Sequence, residues 1–99
     1  MLSSMSTRRV SEAEEITEVC SVLSNKKRVQ LLRYVNEREP TTLKEVHEEF
    51  STQVGLSHRE TTYKYLEDLV DASLLSKEKI TETDKVKYSS DVEDIHISL

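Results

Sequence analysis

The sequence predicts a mainly α domain completed by a small β-hairpin, an α+β arrangement, on three observations. A hydroxyl residue followed three positions later by Glu occurs at Ser11 and Glu14, Thr42 and Glu45, and Ser57 and Glu60, each time ahead of apolar residues at helical spacing. Gly55, the only glycine, falls just before the last of these pairs, where a tight turn needs a residue tolerant of positive φ. Two short β-compatible runs, Leu74 to Ile80 and Lys85 to Ser89, bracket the polar stretch 81–84.

A first helix is expected over Ser11 to Leu23, with Ala13, Ile16, Val19, Cys20 and Leu23 on one stripe and its four glutamates largely elsewhere. A second starts at the good caps Ser24 or Asn25 and runs to about Glu37. Val29, Leu31, Leu32, Tyr34 and Val35 give it more than one apolar face, as suits a central helix. Pro40 breaks the chain before a third helix, Leu43 to about Thr52, where Leu43, Val46, His47 and Phe50 recur at helical spacing. After Gly55 a fourth helix, capped by Ser57, runs from His58 to about Ala72 with Thr62, Leu66, Leu69 and Val70 inward. Helix, short turn with Gly and second capped helix make a helix-turn-helix, and the hairpin after it makes a wing. The predicted fold is therefore a winged helix-turn-helix. Val86 and Tyr88 point to one face of the wing and Lys85 and Lys87 to the other, and Ile95, Ile97 and Leu99 alternate as in a last strand.

Ninety-nine residues suffice for one domain with one modest core. The 33% of charged residues make the chain wetter than an average domain, but its apolar residues are periodic, which those of disordered chains are not. Residues 1–10, Ser-rich with Arg8 and Arg9, are expected to form a flexible arm ahead of a domain over 11–99. The single cysteine cannot close an internal disulfide and no apolar run is of membrane-spanning length, so a cytosolic protein without membrane contact is expected. One glycine and one proline exclude Gly-rich phosphate loops and Pro-rich recognition segments. No nucleophile and base stand together in the sequence, so no enzyme, cofactor or small-molecule effector is expected.

A net charge of −5 argues against a protein that coats nucleic acid indiscriminately, so any such face must be local. Residues 24–38 carry Lys26, Lys27, Arg28, Arg33 and Arg38 against Glu37 alone, whereas 91–99 carry Asp91, Glu93 and Asp94 with no Lys or Arg. Such polarisation permits a basic face beside an acidic one.

Three stretches carry a resemblance to a known family. Leu23-Ser24-Asn25-Lys26-Lys27-Arg28-Val29-Gln30-Leu31-Leu32 resembles the L-S-N-x-x-R-x-x-I-L opening of the ArsR-like winged-helix regulators. Leu56-Ser57 through Thr61 to Tyr65-Leu66-Glu67-Asp68-Leu69 resembles their recognition segment, and Ala72-Ser73-Leu74-Leu75 with Tyr88-Ser89 resembles their wing, with Ser73 in the place of the usual glycine. The resemblance covers about residues 16–90 and is closest to the short stand-alone forms of archaea and their viruses. It implies sequence-specific binding of double-stranded DNA and transcriptional regulation, with repression expected over activation. It does not extend to metal sensing: the cysteine pair of the metal-binding members is missing, and Asp94-Ile95-His96 resembles only half of their other site, so no metal is expected.

In this reading helix 57–72 enters the major groove, and Ser57, His58, Arg59, Thr61, Lys64 and Tyr65 are the candidate base-contacting residues, Arg59 foremost for a bidentate contact to guanine. The bland alternative is a solvated face, because Glu60, Glu67, Asp68 and Asp71 stand alongside. Lys77, Lys79, Lys85 and Lys87 of the wing (75–89) and Lys26 and Lys27 are candidates for phosphate contact, the alternative in the wing being lysine protection of an exposed strand edge. Arg28, beside Lys26 and Lys27, is a candidate for the same backbone contact, the alternative being a structural role tied to a core carboxylate. Tyr63 and Tyr65, which flank the apolar stripe, are expected in the core or at its rim over a base-stacking role, His47 half-buried, and Cys20 buried as a small hydrophobe. A symmetric homodimer would place two such helices in successive grooves. Its candidate elements are 11–23 and 91–99, through Ile16, Val19, Cys20, Ile95, Ile97 and Leu99. The competing function is a winged helix that binds protein in a transcription or other multisubunit complex, since fold alone does not fix function.

Overall fold

In the computed structural model the described residues are 7–38, 40–54, 58–80, 85–90 and 92–99. The elements run β1 (Thr7–Val10), α1 (Ala13–Val22), α2 (Lys26–Arg38), β2 (Thr41–Thr42), α3 (Leu43–Val54), α4 (Arg59–Asp71), β3 (Ser76–Ile80), β4 (Lys85–Ser89) and β5 (Asp94–Ile97). This is the predicted α+β winged helix. Gly55, Leu56, Ser57, the side chain of Phe50 and the stretch 81–84 lie outside the described residues.

Helix α2 is the centre of the molecule, as its several apolar faces predict. Leu31, Tyr34 and Val35 join Val46 of α3, Leu66 and Leu69 of α4, Leu74 and Leu75 after it, and Tyr88 of β4 in one buried cluster. Its start is capped by Asn25, whose side-chain oxygen accepts from the backbone N–H groups of Lys27 (2.8 Å) and Arg28 (3.3 Å). The Thr42 and Glu45 pair forms the reciprocal cap expected at α3. The Thr42 N–H donates to Glu45 Oε1 at 3.0 Å and the Glu45 N–H to Thr42 Oγ1 at 3.2 Å. The Thr42 backbone and hydroxyl donors hold the Glu45 carboxyl below the usual carboxylate range.

Helix α1 departs from expectation at its start and along its inner face. Its N-cap is Glu12, with no side-chain cap bond, in place of Ser11. The reason lies one step upstream. Thr7–Val10, expected within a flexible arm, is a strand paired in parallel with β5, and it holds the chain extended up to Val10, which is fully buried. Arg8 Nη2 pairs with Glu15 Oε2 at 2.9 Å and fixes which side of α1 faces the strand. The covered face is then centred on Val19, fully buried, with Glu15, Ile16, Val22 and Leu23 half-buried around it. Successive helical residues turn by about 100°, so Cys20, next to Val19, is carried off that face. It is exposed, not the core hydrophobe expected. Val19, enclosed by its own chain, is withdrawn from the candidate dimer interface.

Strands β3 and β4 form the predicted antiparallel hairpin, with Ser76 opposite Ser89 and Ile80 opposite Lys85. A third strand unforeseen in the sequence completes the sheet in the order β2-β4-β3, with Thr41 opposite Tyr88 and Thr42 opposite Lys87. Residues 92–99 contain the expected last strand.

Helix α4 ends in a turn that Ser73 closes with φ 61°, the left-handed region that favours glycine. The Ser73 N–H donates to the Val70 carbonyl at 2.9 Å and the Leu74 N–H to the Leu69 carbonyl at 2.9 Å, the paired bonds of a Schellman end. Leu69 and Leu74 are both in the core, so the turn delivers the chain directly into the wing. A Cβ in this conformation costs about 1–2 kcal/mol, partly offset by the extra unfolded freedom of glycine. Ser73→Gly is therefore expected to raise stability by about 0.5–1 kcal/mol, read as a rise in Tm; an unchanged or lowered Tm contradicts this account.

Candidate nucleic-acid interface

Helix α4 is held in place by three sets of polar contacts on its inner side, and these decide what its outer side presents. Near its start, Thr62 is fully buried and its hydroxyl lies 2.9 Å from Nδ1 of the half-buried His47 on α3. In its second half Arg28 reaches across from α2. Arg28 Nη1 donates to Asp68 Oδ2 at 2.9 Å and Nε to the Val22 carbonyl at 2.8 Å, with the guanidinium 5.6 Å from the centre of the Tyr65 ring. This is the core carboxylate tie the sequence suggested for Arg28. On the wing side, Glu67 accepts from Tyr88 Oη at 3.0 Å and from Lys77 Nζ at 2.7 Å.

The outer side of α4 differs from the sequence-based list at three positions. His58, the N-cap, with Arg59, Glu60, Tyr63 and Lys64, is exposed, and Thr61 is half-buried. Tyr65 is not a surface reader. It is half-buried against the core, under Arg28 and 3.5 Å from Asn25 Nδ2. Tyr63, expected at the core rim, is 47% exposed and stands one turn from Arg59 on the same face. Thr62, Leu66 and Leu69 set the inner face, and Tyr63 lies on its flank, about 100° from Thr62 and about 120° from Leu69. Ser57 lies outside the described residues.

Two of the four acids that counted against this helix are thus spoken for. Asp68 is bridged by Arg28 and Glu67 by Lys77. What faces solvent in the first two turns is Arg59 and Lys64 with Glu60, beside Tyr63. Asp71 is exposed at the far end.

The four wing lysines are all exposed but divide between two faces, because residues directly opposite in an antiparallel pair share a face. Lys77 opposes Tyr88 and Lys79 opposes Val86, so both lie on the face turned to α4. Lys85 and Lys87 lie on the other, with Ile80 and Glu78. The Glu67 carboxylate holds the Lys77 ammonium more firmly protonated than usual. Lys26 is exposed and Lys27 half-buried at the start of α2, beside the Asn25 contact to α4. On α3, by contrast, Glu45, Glu48 and Glu49 line an open depression of about 490 Å³ with Tyr34, Arg38, Pro40 and Thr41. Glu49 is paired there with Arg38 at 3.0 Å, and Glu45 and Glu48 keep this side of the molecule acidic.

Two buried phenols set an alkaline limit on this scaffold. Burial, then the hydrogen bond to Glu49, pushes Tyr34 up to about 12. Burial, then the bond to Glu67, pushes Tyr88 well above the ordinary phenol value. Each keeps its proton longer in the folded state than in the unfolded one. Their contribution is whole below the unfolded value of about 10 and is lost as pH rises from there through the folded values. Urea unfolding between pH 9 and 11.5 should show stability falling by roughly 2 kcal/mol per pH unit above about 10, and about half as steeply in Tyr88→Phe. Equal slopes in the two proteins would remove Tyr88 from the explanation.

No family model matches the chain, and no curated protein matches it. Among solved structures it is similar to an ArsR-like transcriptional regulator from Rhodococcus sp. RHA1, with a TM-score of 0.60 and 17% sequence identity over 78% of this chain. The chain spans 65% of the length of that protein. At this identity the likeness establishes the backbone arrangement: the chain has the winged helix fold of that regulator.

Proposed function

We propose that the chain binds double-stranded DNA in a sequence-specific way and regulates transcription, with repression favoured over activation. In this reading α4 lies in the major groove and brings Arg59, Tyr63 and Lys64 to base edges, with His58 and Thr61 at its entry and Ser57 just before it. The wing contacts flanking phosphates through Lys79 and Lys85, then Lys77 and Lys87, and the start of α2 does so through Lys26 and Lys27. The observation that supports the reading is the internal pairing of Glu67 and Asp68, which leaves Glu60 as the one exposed acid beside Arg59, Tyr63 and Lys64 in the first two turns of α4. The protein works in the cytosol as a short homodimer, without effector or metal, and two copies place their α4 helices in successive grooves.

A salt-dependent mobility shift on random duplex DNA tests this. Binding should be measurable at low salt and fall steeply as salt rises, since each neutralised phosphate releases counterions. Absence of binding at every salt concentration would favour the alternative of a winged helix that docks on protein, to which the net charge of −5 lends some support.

A further inference from the structure

We infer that the free edge of β5 is where two copies of the chain meet, in an antiparallel β5-to-β5 pairing whose two-fold axis passes His96. This deepens the homodimer reading above and rests on it only for the existence of a dimer. Strands β1 and β5 form a two-stranded parallel sheet, and among the described residues neither pairs with anything else. Parallel sheets are rarely left so thin, and two strands alone are marginally stable.

Other strand edges in the molecule carry protection against pairing. β3 presents Lys77 and Lys79, β2 is two residues long, and β1 carries Arg8 and Arg9 with Arg8 tied to α1. Strand β5 reads Asp94-Ile95-His96-Ile97, has no lysine, arginine or proline, and leaves Ile97 40% exposed.

The backbone fixes which groups the free edge offers. The Ser98 N–H donates to the Val10 carbonyl at 3.0 Å, so residue 98, and with it residues 96 and 94, turns its N–H and C=O toward β1. Ile95 and Ile97 therefore turn theirs outward. An antiparallel partner centred on His96 meets these groups: Ile95 of one copy exchanges two backbone bonds with Ile97 of the other, and symmetry repeats the exchange. Charge favours the same arrangement. Asp94 then faces Ser98 and Glu93 faces Leu99 of the other copy, whereas a parallel pairing stacks Asp94 on Asp94 and does not close. Edge pairing through β1 sets arginines near arginines. The two isoleucine pairs cover Ile97 and continue the face on which Ile95 already packs against the core. The result is one four-stranded sheet, β1-β5-β5-β1, through both protomers.

His96 becomes a non-hydrogen-bonded pair with its own copy, at a Cα separation of about 4.5 Å that suits a disulfide. In a Cys20→Ser background, His96→Cys should oxidise to a covalent dimer, while Arg9→Cys, equally exposed but on β1, should remain largely uncrosslinked. Ile97→Lys in the otherwise native chain should weaken the dimer at least tenfold in sedimentation while leaving the thermal transition little changed. If the native chain sediments as a dimer but His96→Cys crosslinks no better than Arg9→Cys, the β5 edge is wrong and the homodimer stands. If the native chain is a monomer at high micromolar concentration, with and without DNA, both fall.

Discussion

Arg28→Ala should cost about 2–4 kcal/mol of unfolding free energy, more than any surface substitution on this chain. Its guanidinium joins α2 to two other helices at once: to α1 through the carbonyl of Val22 at its end, and to α4 through Asp68 and the ring of Tyr65. Only about a fifth of the side chain is exposed, at 19%, and Asp68 is 28% exposed, so removal strands a largely covered carboxylate and a carbonyl. The loss exceeds that of an exposed ion pair, which is about 0–1 kcal/mol. Arg28→Lys should recover only part of it, because one ammonium cannot serve Asp68 and the Val22 carbonyl in the same geometry or lie flat over Tyr65. Urea unfolding of the three proteins measures this. A loss below about 1 kcal/mol in Arg28→Ala would mean that α4 is held mainly by its apolar face.

On DNA, changes to α4 and changes to the wing should have different signatures. Arg59→Ala and Lys64→Ala are expected to relax sequence preference, each by about 1–3 kcal/mol at one base position, or roughly 5- to 150-fold. Tyr63→Ala should do the same at a neighbouring position, by loss of an apolar contact. Lys79→Ala and Lys85→Ala should instead weaken binding to all sequences alike and lower the slope of log affinity against log salt by about one unit. Binding selections from a random duplex pool, followed by salt titrations on the selected site, separate the two classes. If the α4 changes leave preference and affinity intact while the wing changes abolish binding, α4 is not the reader.

Local chemistry was readable from the residues at some places and not at others: the N-caps of α1 and α4 are Glu12 and His58, without side-chain cap bonds, where Ser11 and Ser57 were expected. Asn25 and Thr42 cap the helices they stand before, the apolar faces of α2 converge on one core, and Val86 and Tyr88 turn inward while their lysine neighbours stay out. What escaped was set by distant partners. Thr7-Arg8-Arg9-Val10 has too little β character to stand out, and it becomes a strand because β5, more than eighty residues on, lies beside it. That pairing delayed the start of α1 and rotated Cys20 outward. Of the two tyrosines read as core or rim residues, Tyr65 packs inward under Arg28 and Tyr63 faces solvent, because an aromatic ring is acceptable on either side of a helix. The acidity of α4 is likewise partly answered at a distance, Glu67 by Lys77 and Asp68 by Arg28, while Glu60 and Asp71 stay exposed.

Thr41 and Thr42 belong to two structures at once. They are the third strand of the wing sheet, opposite Tyr88 and Lys87, and Thr42 is also the cap from which α3 grows. From α3 the His47 to Thr62 contact leads on to α4, which returns to the sheet through Glu67 and Tyr88. The path closes on itself, so among the described residues the sheet, α3 and α4 form a continuous frame. A frame of this kind presents its cations at fixed separations. If the chain binds duplex DNA as proposed, a duplex that does not match these separations would have to bend to the protein, and sequences that bend easily would gain affinity at positions no side chain touches.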